Sequence, residues 1–156
     1  MTPRPRATAR KTPVDWKGRW LIHFFKRHRL DDPRERVPAR DFLDGCPVPV
    51  RAKLLAIITA VADAPPPAFS GGGKWEAMHD EMRGFYEVRT DGDKREHFRL
   101  FCMLDRDGAS VGLGGPSLII ITGMKKTFRT TFSSRDYAGV RTLGVEFLRR
   151  RPRSAA

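Results

Sequence analysis

The sequence predicts an α+β domain: a twisted, mainly antiparallel sheet of about four strands, with N-terminal helices and a C-terminal helix packed on it. Three observations carry this prediction. Apolar, aromatic and β-branched runs of strand length recur at 16–25, 84–89, 97–104 and 118–122. Apolar residues at helical spacing fill 47–64 and 137–147. The segments between them have turn and loop composition, rich in Gly, Pro and Asp.

The elements can be justified in chain order. Residues 1–15 are Pro- and Arg-rich, with too few apolar groups to bury, and read as a disordered basic arm. The run W-K-G-R-W-L-I-H-F-F at 16–25 suits a first strand, and P-A-R-D-F-L-D-G-C-P a short helical turn. From Pro47 a helix is well signalled. Pro suits the first helical turn, Val50, Leu54, Ile57, Ile58 and Val61 recur at helical spacing, and Pro65-Pro66-Pro67 ends it. The stretch P-P-P-A-F-S-G-G-G is a loop by composition. Gly84 to Arg89 and His97 to Leu104 are strands joined by D-G-D-K, which suits a hairpin, so they should pair antiparallel. Leu118 to Thr122 is continuously apolar, as in a central strand covered on both faces. Ser133 and Asp136 are spaced as a capping box, after which Tyr137, Val140, Gly144 and Phe147 share one helical face up to R-R-R-P. On this reading 16–150 form a single domain and 151–156 a disordered tail.

Charge narrows the class of partner. Residues 1–36 carry 11 Lys/Arg against 4 Asp/Glu, and residues 123–156 carry 9 against 2. Residues 37–122 carry 10 against 12, so the formal excess of +12 sits in two terminal blocks. A chain charged this way attracts polyanions, nucleic acid first among them; an acidic protein would answer the same charge. Two cysteines, Cys46 and Cys102, are too few for a disulfide framework or a four-ligand zinc site. No apolar run approaches a membrane span, and the basic N-terminus lacks the apolar core of a secretory signal. A cytoplasmic protein with no membrane partner is expected.

Strand alternation then gathers candidate chemistry. Phe85, Glu87 and Arg89 share one face of their strand, and His97, Arg99, Phe101 and Met103 one face of the next. An arginine in mid-strand among apolar groups needs a partner, because an isolated charge there is expensive. The charge is met by Glu87, by snorkelling to solvent, or by an anion shared with Arg89 and with Lys125, Lys126 and Arg129 beyond the third strand. Fixed Lys and Arg donors of this kind stabilise a phosphate that gathers charge in a transition state. They are the right set for RNA cleavage, in which a 2′-hydroxyl attacks the adjacent phosphate. Taken alone, a cluster such as Lys125, Lys126 and Arg129 after a strand is more often a solvated loop; the continuous apolar strand before it favours the site.

Among the histidines, His23 reads as packing, His28 as solvated and His79 as surface; His97 alone lies beside candidate site residues and is the proton-transfer candidate. No metal or cofactor is expected: there is no ligand-spaced His/Cys/carboxylate cluster, P-loop, dinucleotide fingerprint or nucleophile elbow.

The succession K-W-E-A-M-H-D-E-M-R-G-F-Y-E-V-R, H-F-R-L-F-C-M-L-D and L-I-I-I-T-G-M-K-K-T resembles the phage-derived Gp49-like (HigB-type) toxins of the RelE/ParE superfamily. The likeness covers about residues 40–149. It implies a RelE-like fold and the toxin role of a type II toxin–antitoxin system. Many members cut mRNA, commonly on the ribosome, and are silenced by a co-encoded helix-turn-helix antitoxin; a metal-independent endoribonuclease is the activity expected here. The resemblance points to Arg89, Arg99, Lys125 and Lys126 as the catalytic positions, with His97 added. Arg129, Lys94 and Arg95 would add RNA contacts. Two departures stand out. Glu87 lies near where some relatives carry a cation, and the C-terminal acid or base of certain relatives has no clear equivalent, Tyr137 reading as helix packing. ParE-like relatives share the fold but poison gyrase without nuclease activity, so a non-catalytic toxin or a basic nucleic-acid-binding protein of phage origin is the alternative.

Overall fold

The structure, a computed structural model, describes residues 19–64, 66, 69 and 72–156. The predicted basic arm and the first residues of the predicted 16–25 strand lie outside them. One sheet of five strands runs in the order β1-β5-β4-β3-β2. Strand β1 (Leu21–Phe24) pairs parallel with β5 (Ser117–Thr127). The others, β4 (Glu96–Asp105), β3 (Phe85–Asp91) and β2 (Trp75–Ala77), follow antiparallel, so the sheet is mainly antiparallel as expected. Helices α1 (Pro38–Asp44) and α2 (Val48–Asp63) cover one face, and α3 (Ser134–Arg149) the other.

The core divides along strand alternation. Val88, Phe98, Leu100, Cys102, Leu118 and Ile120 meet Leu43, Val50, Leu54 and Ile58 of α1 and α2. On the other side Phe85, Phe101, Ile119 and Ile121 meet Val140 and Phe147 of α3. Helix α3 begins as its sequence signals: Asp136 N donates to Ser133 Oγ at 3.1 Å, and Ser133 N donates to Asp136 Oδ2 at 2.9 Å.

Three differences from the sequence reading have physical causes. The sheet has five strands rather than four, because Trp75–Ala77, too short to show a period, is fixed by Trp75 stacking on Tyr86 at 4.9 Å. Strand β5 continues five residues past the apolar run, through Gly123 and both lysines, because the partner strand β4 is long enough to satisfy its backbone. The predicted disordered tail is instead tied down. Ala155 pairs with Phe25, Ala156 and Phe24 exchange backbone hydrogen bonds at 2.8 and 3.2 Å, and Arg153 Nε donates to Asp105 Oδ2 at 3.0 Å with both groups buried. An open backbone edge and a buried carboxylate give these last residues partners that composition cannot reveal.

The register of β5 carries an irregularity. Phe101 pairs with Thr122 but Cys102 with Ile120, leaving Ile121 as the extra residue of a β-bulge. Beyond the bulge Gly123 pairs with Leu100 on the α1 face, where a Cβ would stand 2.2 Å from the Phe42 ring. Replacing Gly123 with alanine should therefore cost about 1–3 kcal/mol through overpacking, seen as a lower urea midpoint at unchanged slope. Trimming the obstacle in a Gly123→Ala, Phe42→Leu variant should recover part of the loss.

A charged network joins the loop after β1 to the end of α3. Arg27 donates to the buried Glu146 at 2.8 and 2.9 Å, Arg149 and Arg150 bond Asp31, and Arg36 bonds the buried Asp32 at 3.0 Å. The Arg36 guanidinium holds the Asp32 carboxyl well below the usual carboxylate range, against the opposing effect of burial, and the backbone N–H groups of Arg36 and Arg34 assist. The folded value lies below the unfolded one. This stabilisation is therefore complete above the ordinary value near 3.8 and fades as pH falls toward the folded value. Thermal unfolding followed from neutral pH into acid should show the midpoint falling, and Asp32→Asn should lower the neutral midpoint while flattening that acid dependence.

Candidate phosphate-binding site

The bulge decides which lysine joins the arginines. Continuing the alternation of Ile119 and Ile121 would bring Gly123 and Lys125 to the α3 face. The extra residue instead turns Met124 and Lys126 there, opposite Arg99 and His97. Lys126 is half-buried, its Nζ 4.8 Å from the centroid of the Phe132 ring. Lys125 is exposed on the other face and meets Glu96 at 3.4 Å. Of the two lysines singled out in the sequence, one is at the site and the other behind the sheet.

Arg89 and Arg99 are register partners on β3 and β4, with Glu87 two residues before Arg89 on the same face. Arg89 Nε donates to Glu87 Oε1 at 2.7 Å and Arg89 Nη2 meets Glu76 Oε1 of β2 at 3.0 Å. Arg99 is treated differently. Its side chain is 12% exposed, and its Nε stands 3.8 Å from Glu87 Oε2, beyond hydrogen-bonding range. Its Nη1 donates to the Phe98 carbonyl at 3.1 Å, with a longer contact to the Thr90 carbonyl at 3.5 Å. The electrostatics record this difference. The hydrogen bond to Glu87 raises the pKa of Arg89, whereas burial lowers that of Arg99 despite the attraction of Glu87. Two arginines thus flank one buried carboxylate, and Arg99 is less compensated by it than Arg89.

Burial, then the charges of Arg99 and Arg89, pull the Lys126 ammonium below its ordinary value, while Glu87 pulls it up. Such a lysine gives up its proton more readily than an ordinary one. Tyr137 packs edge-on against Phe101 and Phe132 at 6.2 and 5.9 Å, as a helix-packing residue should. Its phenol also borders the charges: burial and Glu87 raise its pKa, and Arg99 and Arg89 lower it.

The other sequence candidates lie at the rim. His97 Nδ1 is bonded to Asp91, and its ring lies 5.2 Å from that of Phe128. Arg95 and Arg129 both approach Phe128, and Lys94 lines a cleft of about 530 Å³ on the α2 side with Lys53 and Lys125. Among the described residues no group of three or more His, Cys, Asp or Glu side chains is placed to hold a metal ion. No helix among them is long and apolar enough to cross a membrane. Glu87 entered the sequence reading as a partner for Arg99 and as a departure from the family pattern, not as a site residue. Its burial and its place between two arginines make it the centre of the site, a role that alternation alone suggests but cannot distinguish from a rim charge. Glu76 gave no signal.

The opposing pulls on Lys126 can be separated. In amine modification mapped by mass spectrometry across a pH series, Arg99→Gln should move the reactivity midpoint of Lys126 upward, and Glu87→Gln should move it downward.

Comparison with known proteins adds one structural likeness. The crystal structure of the toxin–antitoxin complex RelBE2 from Mycobacterium tuberculosis is similar over 72% of this chain and 97% of that chain, at 13% identity and a TM-score of 0.46. No protein-family model matches the chain, and no curated protein does.

Proposed function

We propose that the chain is the toxin of a type II toxin–antitoxin pair and acts as an endoribonuclease on mRNA. The observation that carries this reading is Arg99, a largely buried guanidinium with no carboxylate within hydrogen-bonding distance in its ion pair, beside a lysine of lowered pKa. An anionic oxygen of the scissile phosphate is the ligand that would complete it, and a bidentate guanidinium suits that oxygen pair.

The chemistry follows from the arrangement. The RNA 2′-hydroxyl attacks the adjacent phosphorus, a new 2′-O–P bond forms and the P–O5′ bond breaks, leaving a cyclic phosphate. Arg99 and Arg89 stabilise the charge gathered on the phosphoryl oxygens. Lys126 gives its proton to the departing O5′, a transfer eased by its lowered pKa. Glu87, the buried carboxylate among the cations, accepts the 2′-hydroxyl proton and holds Arg89 in place. His97, the proton-transfer candidate of the sequence reading, is bonded to Asp91 at the rim, so this reading gives the base role to Glu87. Silencing by a helix-turn-helix antitoxin and action on the ribosome belong to the same reading, on the family resemblance.

Induction in a bacterial host, with mapping of RNA 5′ ends, tests it. The intact chain should arrest growth and leave discrete new ends. Arg99→Ala and Lys126→Ala should each lower cleavage of an RNA substrate about 100- to 1000-fold. Full cleavage by a folded Arg99→Ala, Lys126→Ala variant would sink the reading. Growth arrest without new RNA ends would favour the non-catalytic, gyrase-directed alternative.

A further inference from the structure

Phe128 follows directly after β5 and is 37% exposed. Its surroundings are specific. Phe128 N donates to the Arg95 carbonyl at 2.7 Å, tying it to the β3–β4 hairpin. The Arg95 guanidinium lies 4.6 Å from the ring centroid and that of Arg129 5.5 Å, with the His97 ring at 5.2 Å. Both arginines have left-handed backbone, φ 60° for Arg95 and 69° for Arg129, a conformation that costs free energy for any residue but glycine. Two strained positions therefore present two guanidinium planes to one exposed ring.

Flat aromatic, imidazole and guanidinium surfaces together are what an unstacked nucleobase packs on. The cleft beside the ring, about 300 Å³, is also lined by Asp91, Asp93 and Glu96. Three carboxylates repel a phosphate but accept a neutral base, so the backbone of a bound strand belongs on the Lys126 side and a base in the cleft. Phe128 is two residues beyond Lys126, about 7 Å at the rise of an extended chain. A base seated there would be next to a phosphate held at Arg99 and Lys126.

We propose that Phe128, with Arg95, Arg129 and His97, is a stacking platform for one unpaired nucleobase adjoining the bound phosphate. This rests on the phosphate-site reading above and adds that the substrate is single-stranded at that step.

Fluorescence anisotropy with short 2′-O-methyl RNA oligonucleotides, which cannot be cleaved by 2′-hydroxyl attack, tests the platform. Each oligonucleotide is compared with versions carrying one abasic position in turn. One abasic position should weaken binding roughly 5- to 100-fold, and Phe128→Ala should weaken the intact oligonucleotide similarly and remove the discrimination. Phe128→Trp should retain it. Equal binding of every abasic version to the intact chain, or undiminished discrimination by a folded Phe128→Ala variant, would overturn the platform. In that case sensitivity of binding to Arg99→Ala would leave the phosphate reading standing. No binding of any oligonucleotide, either free or in the presence of ribosomes, would remove both.

Discussion

One extra residue in β5 sets the composition of the candidate site. Side chains alternate strictly along a strand, so the β-bulge at Ile121 exchanges the faces of everything beyond it. It lets Ile119 and Ile121 both enter the α3 core and still turns Lys126 to the arginine face. The same shift sends Gly123 toward α1, where only a residue without a side chain fits beneath Phe42, and Lys125 to Glu96 behind the sheet. Core packing and the charge of the site are thus coupled through a single register step.

The site also shows how a small sheet carries several cations near its core. Arg89 is neutralised by Glu87 and Glu76, a pairing that offsets part of its desolvation. Arg99 and Lys126 are not treated so generously, and burial lowers the pKa of both. Their charged forms are held at a cost that the proposed phosphate would relieve. Phe132 and Tyr137 wall the site from the α3 side, so the aromatic residues that finish one half of the core also limit its access to water.

Away from the site, charge serves structure. Arg27, Arg36, Arg149 and Arg150 have carboxylate partners in Glu146, Asp32 and Asp31, and Arg153 has Asp105. Three of the nine cations of the C-terminal block, Arg149, Arg150 and Arg153, therefore fasten the end of α3 and the last residues to the loop after β1 and to the sheet. Counting charges along the chain marks an affinity for polyanions, but it does not separate cations spent within the fold from those offered to a partner.

The α+β class, the β3–β4 hairpin, both long helices and the Ser133 cap were legible in the sequence, because each depends on residues close together along the chain. Alternation also grouped Glu87 with Arg89 and His97 with Arg99, each within its own strand, but the register that sets Arg89 opposite Arg99 came from the hairpin itself. Tertiary structure alone decided the rest. The bulge depends on how β5 meets β4, which chose Lys126 over Lys125. The short strand β2 depends on the Tyr86 ring beneath Trp75, the ordering of residues 151–156 on the open edge of β1 and the carboxylate of Asp105, and the central place of Glu87 on the burial that Phe101 and α3 impose. Pattern is a property of neighbours in sequence, whereas register, edge closure and desolvation arise only between segments that the chain brings together from far apart.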